Sequence, residues 1–228
     1  QNVMPTIHEL KVTEARAAIH EQFIKQITSA KGLSYLIELI SDNKVVPTPG
    51  AILMGAELLA KGTFEQEGVG DILLIDIGGA TTDIHSILPE MERQSIEEKG
   101  LIVTNEKQMS YRTVEGNLGM RVSASGILHA AGSQNVLNRV GSNVDVTENE
   151  LIDYVNVLEQ KPELIALTEK QQLLDQALAI TAIEIALKQH AGYLAQEYNP
   201  VMGTVPGTAI GRDLRKVGTI IAVGGIFT

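Results

Sequence analysis

The strongest hydrophobic pattern in the chain is a continuous apolar run that reaches a pair of glycines and returns as a second apolar run. Residues 71–88 read DILLIDIGGATTDIHSIL. The first run, from residue 72 to 77, is almost entirely apolar and rich in β-branched residues, which predicts a strand covered on both faces. A two-residue loop then places Asp76 opposite Asp83 across an antiparallel hairpin.

Apolar residues at helical spacing, together with cap signals, predict the large helices. These helices cover residues 14–30 after Thr13, the segment between Thr48-Pro49 and Gly62, and two segments that open at capping boxes, Thr147 with Glu150 to about Leu158 and Thr168 with Gln171 to about Tyr193. Shorter apolar runs predict strands at 101–103 and 217–223, whereas Asn199-Pro200 and Pro206-Gly207 predict a loop.

The two opposed aspartates predict that a cation binds near them. Carboxylates placed directly opposite each other on neighbouring strands repel, and Mg²⁺ with its water shell and a substrate phosphate suits one or two carboxylates. Gly78 and Gly79 allow the backbone to approach a ligand closely. Their N–H groups, with the hydroxyls of Thr81 and Thr82, would donate to phosphate oxygens. The alternative is an ordinary glycine-turn hairpin with solvated aspartates.

Other polar residues carry weaker signals. Arg112 and Arg121 bracket a glycine-containing turn, where they could bind a phosphate or a carboxylate or form surface ion pairs. Glu184, inside an apolar helix, is interpreted as an acid on the solvent edge, with a nucleotide-side or partner-binding role as the alternative. The five histidines are interpreted as packing or surface residues, not ligands or bases: His8, His20, His85, His129 and His190.

Composition removes several classes of function. The 228 residues carry a net charge of −10, which argues against a nucleic-acid partner. The absence of cysteine excludes disulfides, thiolate catalysis and cysteine metal sites. We find no signal peptide or bilayer-spanning run and expect a soluble, cytoplasmic protein without a membrane partner. Gln1 and Thr228 lie where no domain would naturally stop, so we expect an internal fragment of a longer protein.

Two segments resemble motifs of the actin/Hsp70/sugar-kinase ATPase superfamily. DIGGATTD resembles its second phosphate motif, Asp-[apolar]-Gly-Gly-Gly-Thr-x-Asp, with Ala80 in place of the third glycine. PTPGAILMGAELLAKG resembles its first connect helix. There, Thr48 stands where Hsp70-like members have a water-positioning Glu, and this departure argues against efficient hydrolysis.

The block RTVEGNLGMR, together with DIGGATTD and the ending VGGIFT, narrows the resemblance to MutL-type accessory proteins of adenosylcobalamin-dependent glutamate mutase. It implies an α/β protein with the actin-like ATPase (ribonuclease-H-like) fold, a mixed sheet with flanking helices. Residues 1–62 would be linker and connect helices that join a missing first half. Residues 63–228 would be the second half, with a phosphate hairpin at 71–88, a helical insertion at about 121–198 and an adenosine-motif strand at 217–225.

The resemblance also implies ATP or ADP and Mg²⁺ as ligands. Asp76 and Asp83 would hold Mg²⁺ through water and orient the attacking water. The nucleotide contacts would come from Gly78, Gly79, Ala80, Thr81, Thr82, Glu115, Gly116, Asn117, Gly224 and Gly225.

The expected function is that of an ATP-dependent accessory protein or reactivating chaperone for a cobalamin-dependent mutase. One alternative is a small-molecule kinase, which would consume ATP only with its substrate. Another is an actin-like structural protein, which would sediment in a nucleotide-dependent way.

Overall fold

A computed structural model describes residues 46–89, 102–103, 110–141, 144–201 and 203–227, with six further residues between 15 and 26. The chain divides into two compact units, residues 1–52 and 53–228. The six isolated residues are helical and fall within the helix predicted at 14–30. The rest of that helix, with His8 and His20, lies outside the described residues.

The described elements alternate between helix and strand in an order typical of a mixed α/β protein. In chain order they are α1 (Thr48–Lys61), β1 (Ile72–Ile77), β2 (Thr82–Ile87), β3 (Ile102–Val103), β4 (Ser110–Glu115), α2 (Ala124–Ala131), α3 (Ser133–Leu137), α4 (Glu148–Gln160), α5 (Glu169–His190), β5 (Tyr193–Asn199), β6 (Gly203–Ile210), β7 (Thr219–Val223) and a 3-10 turn (Gly225–Phe227).

The central sheet has the strand order β4-β2-β1-β7. Strand β2 is antiparallel to both β4 and β1, whereas β7 runs parallel to β1. The Cα register places Asp76 opposite Asp83, which confirms the hairpin pairing predicted from the sequence. Register is firmly specified here because a one-residue slip would move every apolar side chain of the pair to the opposite face.

One face of this sheet packs against α5. Leu73 and Ile75 of β1 form a buried cluster with Ile84 of β2 and Ala186 of α5. A second, larger cluster lies among α2, α4 and α5 and includes Ile77 at the end of β1. We call these helices the helical layer. Through Ile77 they pack directly beneath the hairpin at the end of β1.

The predicted helix boundaries are largely confirmed. Both capping boxes are present, with the side-chain oxygens of Thr147 and Thr168 accepting from the N–H groups three residues ahead. Such caps satisfy N–H groups that the first helical turn leaves unpaired. Helix α1 begins at Thr48, one residue earlier than predicted, and Gly62, with φ of 77°, follows its last residue as predicted.

The remaining strands form a second sheet with the order β3-β6-β5. The strand predicted at 101–103 is confirmed as β3. The loop predicted at Asn199-Pro200 and Pro206-Gly207 is confirmed at Pro200, which lies in the turn after β5, and is wrong at Pro206-Gly207, which belongs to β6. Pro206 pairs with Gln196 where the β5–β6 register shifts, and irregular pairing of this kind tolerates a residue without an N–H. No helix in the described part of the chain is long and apolar enough to cross a bilayer.

Candidate phosphate-binding edge of the central sheet

Every residue predicted to bind nucleotide lies at the same end of the strands of the central sheet. Asp76 and Asp83 flank the tip of the β1–β2 hairpin, and Glu115, at the end of β4, pairs with Thr82 at the start of β2. On the other side, the end of β7 leads into Gly224. We call this end of the sheet the hairpin edge: Asp76 to Asp83, Glu115 to Asn117, and Gly224-Gly225.

Gly224 brings the end of β7 against β1. Its φ is +136°, and a Cβ built there would lie 2.3 Å from the carbonyl oxygen of Ile77. Only glycine suits both that backbone conformation and that spacing. Gly224-Gly225 is thus fixed beside the hairpin tip, although the adenosine role assigned to the pair stays a prediction.

A loop after β4 packs onto the hairpin tip. The N–H of Met120 donates to the carbonyl of Gly78 (2.9 Å), and the N–H of Arg121 donates to that of Gly79 (2.8 Å). A Cβ on Gly119 would lie 2.2 Å from the carbonyl carbon of Ala80. The absent side chain of Gly119 therefore permits the contact that holds the tip in place.

The hairpin tip presents backbone donors. The N–H of Gly78 donates to the carbonyl of Thr81 (2.9 Å). Within the described part of the chain, the N–H groups of Gly79, Ala80 and Thr81 have no hydrogen-bond acceptor. Successive unpaired N–H groups in a turn make a concave site for an anion.

The two threonines of the tip differ. The Thr81 side chain is half-buried, and its hydroxyl donates to Oδ2 of Asp83 (3.0 Å). Thr82 is fully buried, and its hydroxyl donates to the carbonyl of Leu118 (2.5 Å). In this structure the Thr82 hydroxyl therefore positions the loop after β4, and Thr81 is the threonine beside solvent.

Asp83 has a complete set of partners inside the chain. Nε of Arg112 donates to its Oδ1 (2.7 Å), and Nη2 of the same guanidinium forms an ion pair with that oxygen. The other carboxylate oxygen accepts from Thr81. Of the two roles considered for Arg112, the structure shows a bond to a carboxylate, so the chain itself supplies one positive charge to the opposed aspartates.

Asp76 is the open member of the pair. Among the described residues its carboxylate has no hydrogen-bond or ion-pair partner. Burial raises the pKa of Asp76 above its ordinary value of 3.8, and the neighbouring Asp83 raises it further, whereas Arg112 lowers it. A cation at Asp76 would favour the ionised form of this carboxylate.

The donor set suits a hydrated Mg²⁺ that also contacts a phosphate. No group of three or more His, Cys, Asp or Glu side chains in the described ranges could hold a metal by itself. Mg²⁺ commonly keeps several waters and takes one or two carboxylates plus substrate phosphates. Asp76, with the three N–H groups of the tip beside it, fits that pattern better than a site made only of protein ligands.

Arg121 occupies the interior instead. Its Nη2 forms an ion pair with Oδ2 of Asp175 on α5 (2.8 Å), and the Tyr154 hydroxyl on α4 donates to Oδ1 of the same carboxylate (2.9 Å). The Asp175 side chain is 4% exposed. We call these three residues the interior network; because Arg121 also bonds the tip through its backbone, the network joins the tip to the helical layer.

Two histidines that the sequence pattern did not single out are fully buried. His190 bridges the hydroxyls of Thr113 on β4 and Ser86 on β2, both at 2.8 Å. Neither ring nitrogen of His85 has a hydrogen-bond partner among the residues that the structure describes. Burial lowers the pKa of each to about 4, so both are neutral at pH 7. Of the others, His129 is exposed.

Fold and site together define a mixed α/β protein with a candidate anion-binding sheet edge. A family model described as MutL protein matches residues 1–228. Over 227 residues, 99% of this chain, the sequence is 36% identical to Protein MutL of Clostridium tetanomorphum, and the match covers 47% of that relative. The chain belongs to the MutL protein family, which confirms the resemblance drawn from the three motifs, and it spans about half the length of the curated relative it matches. No solved structure gives a significant match.

Proposed function

We propose that this chain is part of an ATP-binding, Mg²⁺-dependent accessory protein, a reactivating chaperone for a cobalamin-dependent mutase such as glutamate mutase. The observation that carries the proposal is the convergence of separate motifs on the hairpin edge. Those motifs lie as much as 149 residues apart in the chain, between Asp76 and Gly225, yet four adjacent strands bring them together. In this proposal the chain has the actin-like ATPase fold.

Each part of the hairpin edge has a role in this proposal. The N–H groups of Gly79, Ala80 and Thr81 bind phosphate oxygens, as turn N–H groups do at other anion sites. Asp76 holds the water shell of Mg²⁺, which supplies positive charge to the phosphates, and orients a water for hydrolysis. Gly224-Gly225 offers flat backbone to the adenosine.

The partner follows from the family. RTVEGNLGMR, DIGGATTD and the ending VGGIFT together resemble MutL-type accessory proteins of adenosylcobalamin-dependent glutamate mutase, and the chain belongs to the MutL family. Nucleotide exchange would shift a conformational equilibrium that the mutase can sense, provided that the nucleotide binds the two conformations with different affinity. Binding, more than rapid hydrolysis, is the expected activity, because Thr48 replaces the water-positioning Glu.

Calorimetric titration of ADP into the natural full-length protein, with and without Mg²⁺, tests nucleotide binding. We expect Mg²⁺-dependent binding with a Kd on the order of micromolar in the wild type and its loss in Asp76→Asn. Asp213→Asn is the matched control, since Asp213 pairs with Arg215 away from the hairpin edge, and it should bind as the wild type does. Failure of the folded wild type to bind ADP would contradict the proposal.

The partner needs its own experiment. The purified protein should restore activity to glutamate mutase that has been inactivated during turnover, and only when ATP and fresh adenosylcobalamin are present. Asp76→Asn should lose this effect while keeping its unfolding temperature. Restoration that is equal with and without ATP would argue against a nucleotide-dependent cycle.

A further inference from the structure

Arg112 pairs with one of the two opposed aspartates of the proposed nucleotide site. It neutralises Asp83, the carboxylate directly opposite Asp76, through contacts of two guanidinium nitrogens with the same oxygen. Asp83 is 4% exposed, and a buried carboxylate is stable in the ionised form only with a partner. Any event that removes Arg112 from Asp83 must therefore bring another cation to that carboxylate.

Arg112 itself can leave at low cost only if another cation replaces it. Its side chain is 33% exposed, against 5% for Asp83. The guanidinium would regain water on leaving, whereas the buried carboxylate would lose its partner. The guanidinium also contacts only Oδ1, so the paired geometry typical of a strong arginine–carboxylate contact is not formed. Arg112 thus resembles a removable counter-ion more than a fixed structural group.

We infer that Arg112 is the built-in counter-ion of Asp83 and that a hydrated divalent cation displaces it only when a phosphate arrives to accept the released guanidinium. The inference rests on the proposed function, which it deepens by explaining how cation and nucleotide depend on each other. A divalent cation alone would compete with Arg112 for Asp83 and bind weakly. With a phosphate present, the guanidinium gains a better acceptor, so metal and nucleotide bind together.

Mn²⁺ alone is a suitable probe, because its binding can be followed by electron paramagnetic resonance without any nucleotide. In the natural full-length protein, Arg112→Gln should bind Mn²⁺ about tenfold more tightly than the wild type, a usual size of coupling between groups that share a partner. The matched control is Arg139→Gln, which removes an arginine that pairs with Glu184 on the helical layer. Its Mn²⁺ affinity should equal that of the wild type.

A second substitution tests whether Asp83 is the carboxylate that binds Mn²⁺. Adding Asp83→Asn to Arg112→Gln removes the proposed ligand together with its counter-ion and should abolish the gain in Mn²⁺ affinity. If Arg112→Gln does not fold, as judged by circular dichroism, Arg112→Lys replaces it. A lysine keeps the charge but lacks the planar fork, and we expect a smaller gain than in Arg112→Gln.

The outcomes separate this inference from the proposed function. Unchanged or weaker Mn²⁺ binding by a folded Arg112→Gln variant would overturn the counter-ion role, whatever the ADP titration gives. A gain that persists in the double variant would overturn it as well, because the metal would then lie elsewhere. A gain that depends on Asp83 in a protein that does not bind ADP would support the counter-ion role and contradict nucleotide binding.

Discussion

Two arginines that flank the same turn have opposite surroundings. Arg121 reaches into the helical layer, where the carboxylate of Asp175 also accepts from Tyr154. Arg112 is a third exposed and pairs with Asp83 of the hairpin edge. The opposite carboxylate, of Asp76, has no partner in the part of the chain that the structure describes. The interior network is closed, since each charged group in it has its partner, whereas the hairpin edge is open.

The difference indicates that the interior network stabilises the fold, whereas the hairpin edge binds the ligand. A buried ion pair with satisfied hydrogen bonds cannot exchange partners without a large loss of free energy. The Arg112–Asp83 pair has a more exposed arginine, and it lies next to the open carboxylate of Asp76 and three N–H groups that have no acceptor among the described residues. That pair can exchange its arginine for another cation. The loop from Leu118 to Val122 connects the two regions, because it bonds the hairpin tip and carries Arg121. Two substitutions test this division, and a pH series then tests the burial of two histidines, in order of decreasing effect.

The largest effect is expected from Asp175→Ala in the interior network. The change leaves the Arg121 charge and the Tyr154 hydroxyl without their shared acceptor, and breaking a buried pair in this way costs about 3–5 kcal/mol. The free energy of unfolding from urea titration at pH 7 measures the loss. Glu184→Ala is the control, since Glu184 pairs with Arg139 and Lys188 and is 41% exposed; it should change the free energy of unfolding far less, because exposed ion pairs contribute little. Equal losses in the two variants would contradict the division.

Gly119→Ala tests the connection between the two regions. The new Cβ would meet backbone atoms of Ala80 at 2.2 Å, so the hairpin tip or the loop must move, at a cost of about 3 kcal/mol. We expect ADP binding to weaken as well. Gly55→Ala in α1 is the control, because nothing lies within 4 Å of its Cβ position. A Gly119→Ala variant as stable as Gly55→Ala would show that the tip and the loop are not tightly joined.

A smaller effect is expected from pH. The folded-state pKa of His85 and of His190 lies at about 4, below the ordinary value of 6.5, so the unfolded chain binds more protons between these values. Stability should therefore fall as pH falls from 6.5 towards 4, by on the order of 2 kcal/mol between pH 7 and pH 5.5.

Unfolding free energies measured across this pH range in His190→Gln provide the check. The slope of stability against pH should decrease by about half, since one of two titrating groups is removed. His129→Gln is the control, because His129 is exposed, and it should keep the wild-type slope. A His190→Gln variant with an unchanged slope would show that His190 is not the titrating group.

Local rules predicted the parts of the fold that depend on neighbours in the chain. The opposition of Asp76 and Asp83 follows from the alternation of side chains and a two-residue loop, and both capping boxes follow from spacing alone. The convergence of Gly224 on the hairpin tip required the resemblance, because it depends on a parallel strand more than 130 residues further along the chain.

Residues whose partners are distant could not be assigned from the sequence. Arg112 and Arg121 lie in the same turn region with similar surroundings in sequence, yet their partners lie 29 and 54 residues away. Which arginine turns inward is decided by the packing of α5 against the sheet. The buried state of His190 likewise depends on Ser86, 104 residues away. No local pattern contains that information.

The measurement that tests the central claim most directly is a nuclear magnetic resonance titration of the natural full-length protein, labelled with ¹⁵N at glycine and alanine. On addition of Mg²⁺–ADP, the amide signals of Gly79 and Ala80 should shift strongly, because their N–H groups would exchange water for phosphate oxygens. The signals of Gly132 and Ala131, in the helical layer, should stay in place, and Asp76→Asn should show no shifts. Unchanged signals from Gly79 and Ala80 at ADP concentrations that saturate the protein would contradict a phosphate site at the hairpin edge.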